Sequence, residues 1–298
     1  MSKLCLGTAQ FGLNYGITNK YRKIQNKEIK LILEKAIKEN INYFDTANLY
    51  GDSEKIIGNN LKGKDFKIST KFTSKVKKTF TEEDINFLET EFQRSLSNLN
   101  KDFIETYLIH NPNDLKKNNN HLLINWLKSL KDRGLIKKIG ISIYEKCDLK
   151  DIDIKDIQIV QMPLSVYDQR LLENNFIYNL LEKDISIHLR SIFLQGLLLQ
   201  ESNNWPSSIN QLFLEHHKNY ENEIFKENLT LLDSAILFIK SLDFAELIIF
   251  GVTNISELNS ILLSWNSKKI LKNLDYEKYK WNYPKDIDPR EWPKRSDL

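Results

Sequence analysis

Two cysteines in 298 residues, Cys5 and Cys147, cannot build a disulfide framework, and neither belongs to a C-x-x-C pair. A chain without such staples is expected in a reducing cytoplasm. Neither sign of charge is in marked excess: 43 lysines and arginines face 40 acidic residues, a net charge of +3. The basic pairs Lys77-Lys78, Lys116-Lys117 and Lys137-Lys138 stand apart and are not interleaved with aromatics, so the footprint of a nucleic-acid partner is missing. No window approaches the roughly 20 apolar residues that span a bilayer, so no membrane partner is expected. The opening Met-Ser-Lys-Leu-Cys-Leu-Gly lacks the apolar core of a signal peptide. The five histidines are dispersed and no H-E-x-x-H occurs, which excludes the usual zinc patterns; no metal is expected. The first strand-like run leads into Gly7-Thr8-Ala9-Gln10-Phe11-Gly12, which is not G-x-G-x-x-G. That absence argues against an open doubly wound sheet with a dinucleotide fingerprint.

What is present is an alternation. Short β-prone runs recur at Leu4–Thr8, Ile41–Asp45, Lys67–Lys71, Ile104–His110, Lys138–Ile141, Ile157–Met162, Ile185–Ser191 and Glu246–Gly251. Amphipathic segments lie between them: Asn26–Glu39, Ser53–Leu61, Thr81–Leu99, His121–Arg133, Leu171–Lys183, Ser207–Leu242 (long enough for two helices) and Asn254–Ser264. Eight strands alternating with helices imply parallel strands with crossovers, and the span from Leu4 to Ser264 fits the ~250 residues typical of a (β/α)8 TIM barrel. The expected organisation is a single α/β domain over residues 1–298. Residues 268–298, with Trp281, Pro284, Pro289, Trp292 and Pro293, form an aromatic C-terminal tail packed on the barrel. His188, inside an apolar strand, is expected to be a satisfied core residue; His121, His216 and His217 are expected on helix surfaces. Phe11, Tyr15, Tyr144 and Trp205 are candidates for pocket walls or core.

Four polar residues sit at or just beyond the ends of apolar runs: Asp45, Tyr50, Lys71 and His110. In a barrel of parallel strands those ends converge on the face where catalysis occurs. A phenol holds its proton at neutral pH and can donate it. A nearby ammonium, from Lys71, would lower its pKa, and Asp45 would balance that ammonium. His110 can hydrogen-bond a substrate oxygen and orient a carbonyl. Such a set makes an acid and an oxyanion site but carries no reductant, so a cofactor must bring the hydride.

The segment Phe44-Asp45-Thr46-Ala47-Asn48-Leu49-Tyr50-Gly51-Asp52-Ser53-Glu54, with Ile68-Ser69-Thr70-Lys71, Tyr107-Leu108-Ile109-His110, Gly140-Ile141-Ser142 and Val160-Gln161 in order behind it, resembles the aldo-keto reductases. The resemblance implies a barrel that binds a nicotinamide cofactor extended across its top face and reversibly reduces a small-molecule carbonyl substrate. By it Tyr50 is the acid/base, Lys71 and Asp45 tune it, and His110 orients the substrate. Ser142 and Gln161 would hold the nicotinamide carboxamide, although Ile143 stands where an Asn is usual. Arg190 would stack on the nicotinamide ring; Ser191, Gln195 and Gly196 would lie near the pyrophosphate. Gly7 and Thr8 line the first strand end, and Gly251, Thr253 and Asn254 would meet the adenosine phosphate at a helix N-terminus. The chain has no Lys or Arg between Lys240 and Lys268, and Glu257 stands where a ribose hydroxyl could be bound. NADP(H) is still placed ahead of NAD(H), since another loop or the tail could supply the missing cation.

Further likeness, in Leu6–Leu13 with Tyr15-Gly16, in Ser191–Leu198 and in Asp288-Pro289-Arg290-Glu291-Trp292, is to a bacterial branch linked to surface-sugar metabolism, which points to a sugar or sugar derivative. Two alternatives stay open: a cofactor-retaining sugar epimerase, and a nucleotide-binding regulatory subunit with little turnover. Substrate identity and oligomeric state are not legible in the sequence.

Overall fold

The structure is a computed structural model that describes residues 2–18, 23–270 and 275–292. Eight strands close into a parallel barrel in sequence order: β1 (Lys3–Gly7), β2 (Tyr43–Asp45), β3 (Lys67–Phe72), β4 (Ile104–Ile109), β5 (Ile136–Ser142), β6 (Ile159–Pro163), β7 (Ser186–Arg190) and β8 (Ala245–Gly251). The helices are α1 (Ala9–Gly12), α2 (Asn26–Lys38), α3 (Ser53–Asn60), α4 (Glu82–Leu99), α5 (Asn120–Asp132), α6 (Phe176–Leu181), α7 (Gln211–Lys226), α8 (Leu231–Lys240), α9 (Ile255–Asn266) and α10 (Pro284–Ile287). The expected TIM barrel is therefore what the chain forms.

Local chemistry explains the element ends. In α2 the residues at i, i+3, i+4 and i+7 (Ile29, Ile32, Leu33, Ala36) are the buried ones, the spacing of a single helix face. Helix α4 starts with a reciprocal cap, Asp84 N–H to Thr81 Oγ1 and Thr81 N–H to Asp84 Oδ2, and stops at Asn100 in the left-handed region (φ 51°). Helix α8 repeats the cap with Thr230 and Asp233. The helix expected over Leu171–Lys183 shrinks to α6, because Asn174 and Asn175 both take positive φ (58° and 55°) and break the pattern. The Ser207–Leu242 segment resolves into α7 and α8, parted at Asn228 (φ 57°).

Strand alternation sets the site. In β3, Thr70 turns outward and donates to buried Glu54 of α3 at 2.7 Å, while Lys71 turns inward to Asp45. Between sheet and helices lies the main apolar core, and Cys5, Leu247 and Ile249 form a small cluster apart from it.

The described part of the tail packs as expected. Trp281 is buried, its backbone N–H donates to Tyr167 O at 2.9 Å, and its ring stacks on Phe213. Pro293 lies outside the described residues. Two histidine expectations need correction. His217 is not on a helix surface: it is fully buried beneath Trp205 (centroids 4.2 Å apart) and bonded to the Tyr167 hydroxyl and Gln200 O. Tail and loop cover the face of α7 that periodicity alone would leave wet. His188 is buried, and neither ring nitrogen makes a hydrogen bond among the described residues, Nε2 lying 3.9 Å from Glu246 Oε2.

Burial pushes His188 and His217 down to about 4 each, partly offset at His188 by Glu246. Their folded values lie below the unfolded one, so the stability they contribute is present above about pH 6.5 and is lost as pH falls through about 4. The melting temperature should therefore fall as the pH drops from about 6.5 to about 4.5, before most carboxylates titrate, with up to roughly 2–3 kcal/mol per histidine at stake. A flat melting temperature over that range would show that they are not held neutral.

Candidate active site

Neighbouring strands bring Asp45 and Lys71 together, as the register pairs Asp45 of β2 with Ser69 of β3. Lys71 Nζ donates to Asp45 Oδ1 at 2.5 Å and to Thr46 O at 2.9 Å, and both side chains are almost fully buried. The second Asp45 oxygen accepts from Gln161 Nε2 at 2.7 Å. Tyr50, in the loop between β2 and α3, lies edge-on to His110 (centroids 6.1 Å), with Lys71 Nζ 5.3 Å from its ring centre. His110 follows directly on β4 and is tied to β3 through its backbone N–H, which donates to Phe72 O at 2.9 Å. All four residues line one cavity of about 670 Å³.

Backbone packing places the phenol. A Cβ on Gly12 would overlap the carbonyl oxygen of Tyr50, and one on Gly51, itself at φ 56°, would meet Gly12 O. Close by, the Ser53 hydroxyl donates to Thr8, and Thr8 Oγ1 donates to Asp45 O at 2.9 Å, joining β1, β2 and α3. Gly12→Ala should therefore displace Tyr50 and lower turnover by roughly 100-fold, the scale of an ångström-sized misplacement. Unchanged turnover, measured once an assay is in hand, would show that the contact does not position Tyr50.

The electrostatics differ from expectation at one point. The Tyr50 phenol is raised, not lowered: burial removes hydration from the phenolate and the Asp45 carboxylate opposes it, with Arg190 pulling the other way. The Lys71 ammonium is engaged by Asp45 and Thr46, so at the resting phenol it does not outweigh burial and the Asp45 carboxylate. Tyr50 is thus a firmly protonated donor at rest. His110 is driven down to about 3 by burial, then by the Lys71 and Arg190 charges, so it is a neutral imidazole.

Of the residues expected to hold a cofactor, Gly7, Thr8, Ser142, Arg190, Ser191, Gln195, Gly251 and Glu257 all line the cavity. Gln161 and Asn254 do not. Gln161 is buried below it on Asp45, and its Oε1 has no partner; Asn254 caps α9 by accepting from Glu257 N–H. The Arg190 guanidinium donates to Ile143 O and Ser191 Oγ and lies 4.1 Å from the Tyr144 ring centre. Arg290 of the tail covers Tyr144 at 4.0 Å, so the ring is held by two guanidinium groups and the tail reaches the cavity wall. Tyr15 also lines the cavity, whereas Phe11 and Trp205 are core. Thr253, expected with Gly251 and Asn254 at the adenosine phosphate end, lines it as well, and sequence reasoning missed Gln10, Thr18, Ser256 and Ser260, which line it too. The four-residue spacing of Ser256 and Ser260 on a helix was a usable signal. Among the described residues no group of His, Cys, Asp or Glu could hold a metal ion, and no helix is long and apolar enough to cross a membrane.

Known proteins agree with this architecture. An uncharacterized oxidoreductase of Bacillus subtilis is 28% identical over 186 residues, a match spanning 59% of this chain and 59% of that relative's length. Among solved structures, an aldo-keto reductase from Bacillus halodurans superposes with a TM-score of 0.71 at 20% identity, covering 93% of this chain and 89% of the other. A glycerol dehydrogenase from Gluconobacter oxydans does so with a TM-score of 0.67 at 18% identity, covering 92% and 88%. At such identities these two likenesses speak for the fold alone. The sequence profile of the aldo/keto reductase family, however, matches residues 3–276, nearly the whole barrel, and by that match the chain belongs to the aldo/keto reductase family.

Proposed function

We propose that this protein reduces the carbonyl of a small aldehyde or ketone to an alcohol, using a nicotinamide dinucleotide. The observation that carries the proposal is the protonated Tyr50 phenol beside a neutral His110 and a buried Lys71–Asp45 pair, all in one cavity. The residues present suit such a cofactor. The cavity has the size of a small-molecule site, runs on from the four residues to the first turns of α9, and carries hydroxyl donors along its length (Ser142, Ser191, Thr253, Ser256, Ser260). At the end of β8 a Cβ on Gly251 would collide with the Gln10 amide, so the bare backbone there keeps room for the chain's own polar groups.

When bound, the dihydronicotinamide supplies the hydride that the side chains cannot. Tyr50 gives its proton to the substrate oxygen as negative charge grows there. That transfer is favourable despite the raised phenol, because an alkoxide is the stronger base. The phenolate left behind is stabilised by the field of Lys71 and Arg190. The neutral imidazole of His110 can hydrogen-bond the carbonyl without competing for the proton. Ser142 and Arg190 are the cavity groups placed to hold the nicotinamide end. Likeness to the bacterial sugar-linked branch supports a polyhydroxylated substrate; a cytoplasmic setting fits the free cysteines.

Purified protein should consume reduced nicotinamide in the presence of some member of a panel of aldehydes, ketones and open-chain sugars. Tight cofactor binding with no consumption across the panel would count against reductase activity.

A further inference from the structure

Resting on that function, the structure carries the choice of cofactor further. A dinucleotide whose nicotinamide lies at Tyr50 has its adenosine half at the other end of the cavity, where Thr253, Ser256, Glu257 and Ser260 line it. A helix N-terminus there would ordinarily favour an added phosphate, because its backbone N–H groups lack partners. Here the chain has filled those positions itself. Ile255 N–H, the first of α9, donates to Glu28 Oε1 of α2 at 2.6 Å. Thr253 N–H donates to Glu257 Oε2 at 2.6 Å, and Glu257 N–H donates to Asn254 Oδ1 at 2.9 Å. Thr253 Oγ1 and Asn254 Nδ2 also donate to Glu257, so its carboxylate is held by three donors from two residues. Two carboxylates therefore occupy two of the backbone donors that a phosphate would use, and the Asn254 amide oxygen occupies a third. Among the described residues lining the cavity, the lysine and arginine side chains are Lys71, already paired with Asp45, and Arg190, on β7; neither belongs to α9 or to the loop before it.

We infer that the chain is built for NAD(H), with Glu257, supported by Glu28, rejecting the 2′-phosphate of NADP(H) and accepting a hydrogen bond from the ribose 2′-hydroxyl of NAD(H). Two effects act in one direction. A 2′-phosphate would bring at least one further negative charge up to Glu257, and three of the backbone donors that might offset it, on Thr253, Ile255 and Glu257, are taken. A free ribose hydroxyl, by contrast, is a donor, and of the about four lone-pair sites of a carboxylate the contacts from Thr253 and Asn254 use three and leave one for it. This sets NAD(H) where the sequence alone put NADP(H) ahead; the difference comes from the hydrogen bonds, which composition could not reveal.

Quenching of tryptophan fluorescence gives dissociation constants for NADH and NADPH without any turnover. NADH should bind at least about 30-fold more tightly than NADPH at low ionic strength, and the gap should narrow as salt screens the carboxylates. Glu257→Gln keeps the shape and the helix cap but removes the charge. It should improve NADPH binding about tenfold and weaken NADH binding, so the two dissociation constants move in opposite directions. NADPH binding as tightly as NADH in the wild-type protein would overturn the inference alone, and so would a ratio that neither salt nor Glu257→Gln moves. Binding of neither nucleotide would overturn it together with the reductase function. The wild-type ratio and its salt dependence stand whether or not the variant folds.

Discussion

Replacing Tyr50 with phenylalanine should lower carbonyl reduction by roughly a thousandfold or more, within the range that a positioned general acid contributes, while NADH binding stays within about threefold of wild type. The expectation rests on what else could give a proton. His110 is a neutral imidazole with its pKa near 3, so almost no imidazolium exists at neutral pH to act as an acid. Lys71 is bound to Asp45 and Thr46. Among the described residues, the other phenol that influences Tyr50 and lines the cavity, besides Tyr144 between its two guanidinium groups, is Tyr15. Tyr15→Phe is therefore the informative companion. It should keep most of the activity, because it is Tyr50 that lies edge-on to His110 and under Lys71. Full turnover in Tyr50→Phe, or a collapse confined to Tyr15→Phe, would move the acid to another residue. Because the substitution removes one oxygen and leaves the ring against His110, unfolding is not expected to blur the result.

The barrel was legible because its signals are local and repeat: β-branched runs ending in polar residues, helix faces at a 3.6-residue period, and caps such as Thr81–Asp84. The four catalytic candidates were legible for the same reason, since strand ends converge by topology. What was not legible depends on contacts between distant segments. His217 reads as a surface residue on α7 until Trp205 and Tyr167 are seen to enclose it. Gln161 gives no sign in the sequence that its Nε2 bonds Asp45 from 116 positions away. The direction of the Tyr50 shift was missed because a nearby ammonium was assumed to be free, and the distances show it engaged elsewhere. The α9 terminus read as open to anions because Glu28 lies 227 positions earlier. In each case residue types were right and partner assignments were not, and partners are what a periodicity cannot supply.

Breaking the buried ion pair is the second large effect. Lys71 and Asp45 are 1% and 6% exposed, so each sits in a setting where an unpaired charge is strongly disfavoured. Asp45→Asn should leave the ammonium with Thr46 O as its remaining close acceptor and destabilise the fold by about 3–5 kcal/mol. Lys71→Met should cost a similar amount by stranding the carboxylate, which would then retain only Gln161 Nε2. If the cost of each single change is mainly a stranded charge, the double variant Asp45→Asn/Lys71→Met should be more stable than either single one. Urea denaturation of the four proteins gives that coupling directly. Turnover should behave differently. Lys71→Met and the double variant should both lose about 100-fold or more in kcat, since the phenolate of Tyr50 then forms without a neighbouring ammonium. Stability restored without activity is the signature of a pair kept for chemistry. Additive losses in stability, or a double variant that regains turnover, would instead mean that Lys71 and Asp45 serve the fold and not the proton transfer.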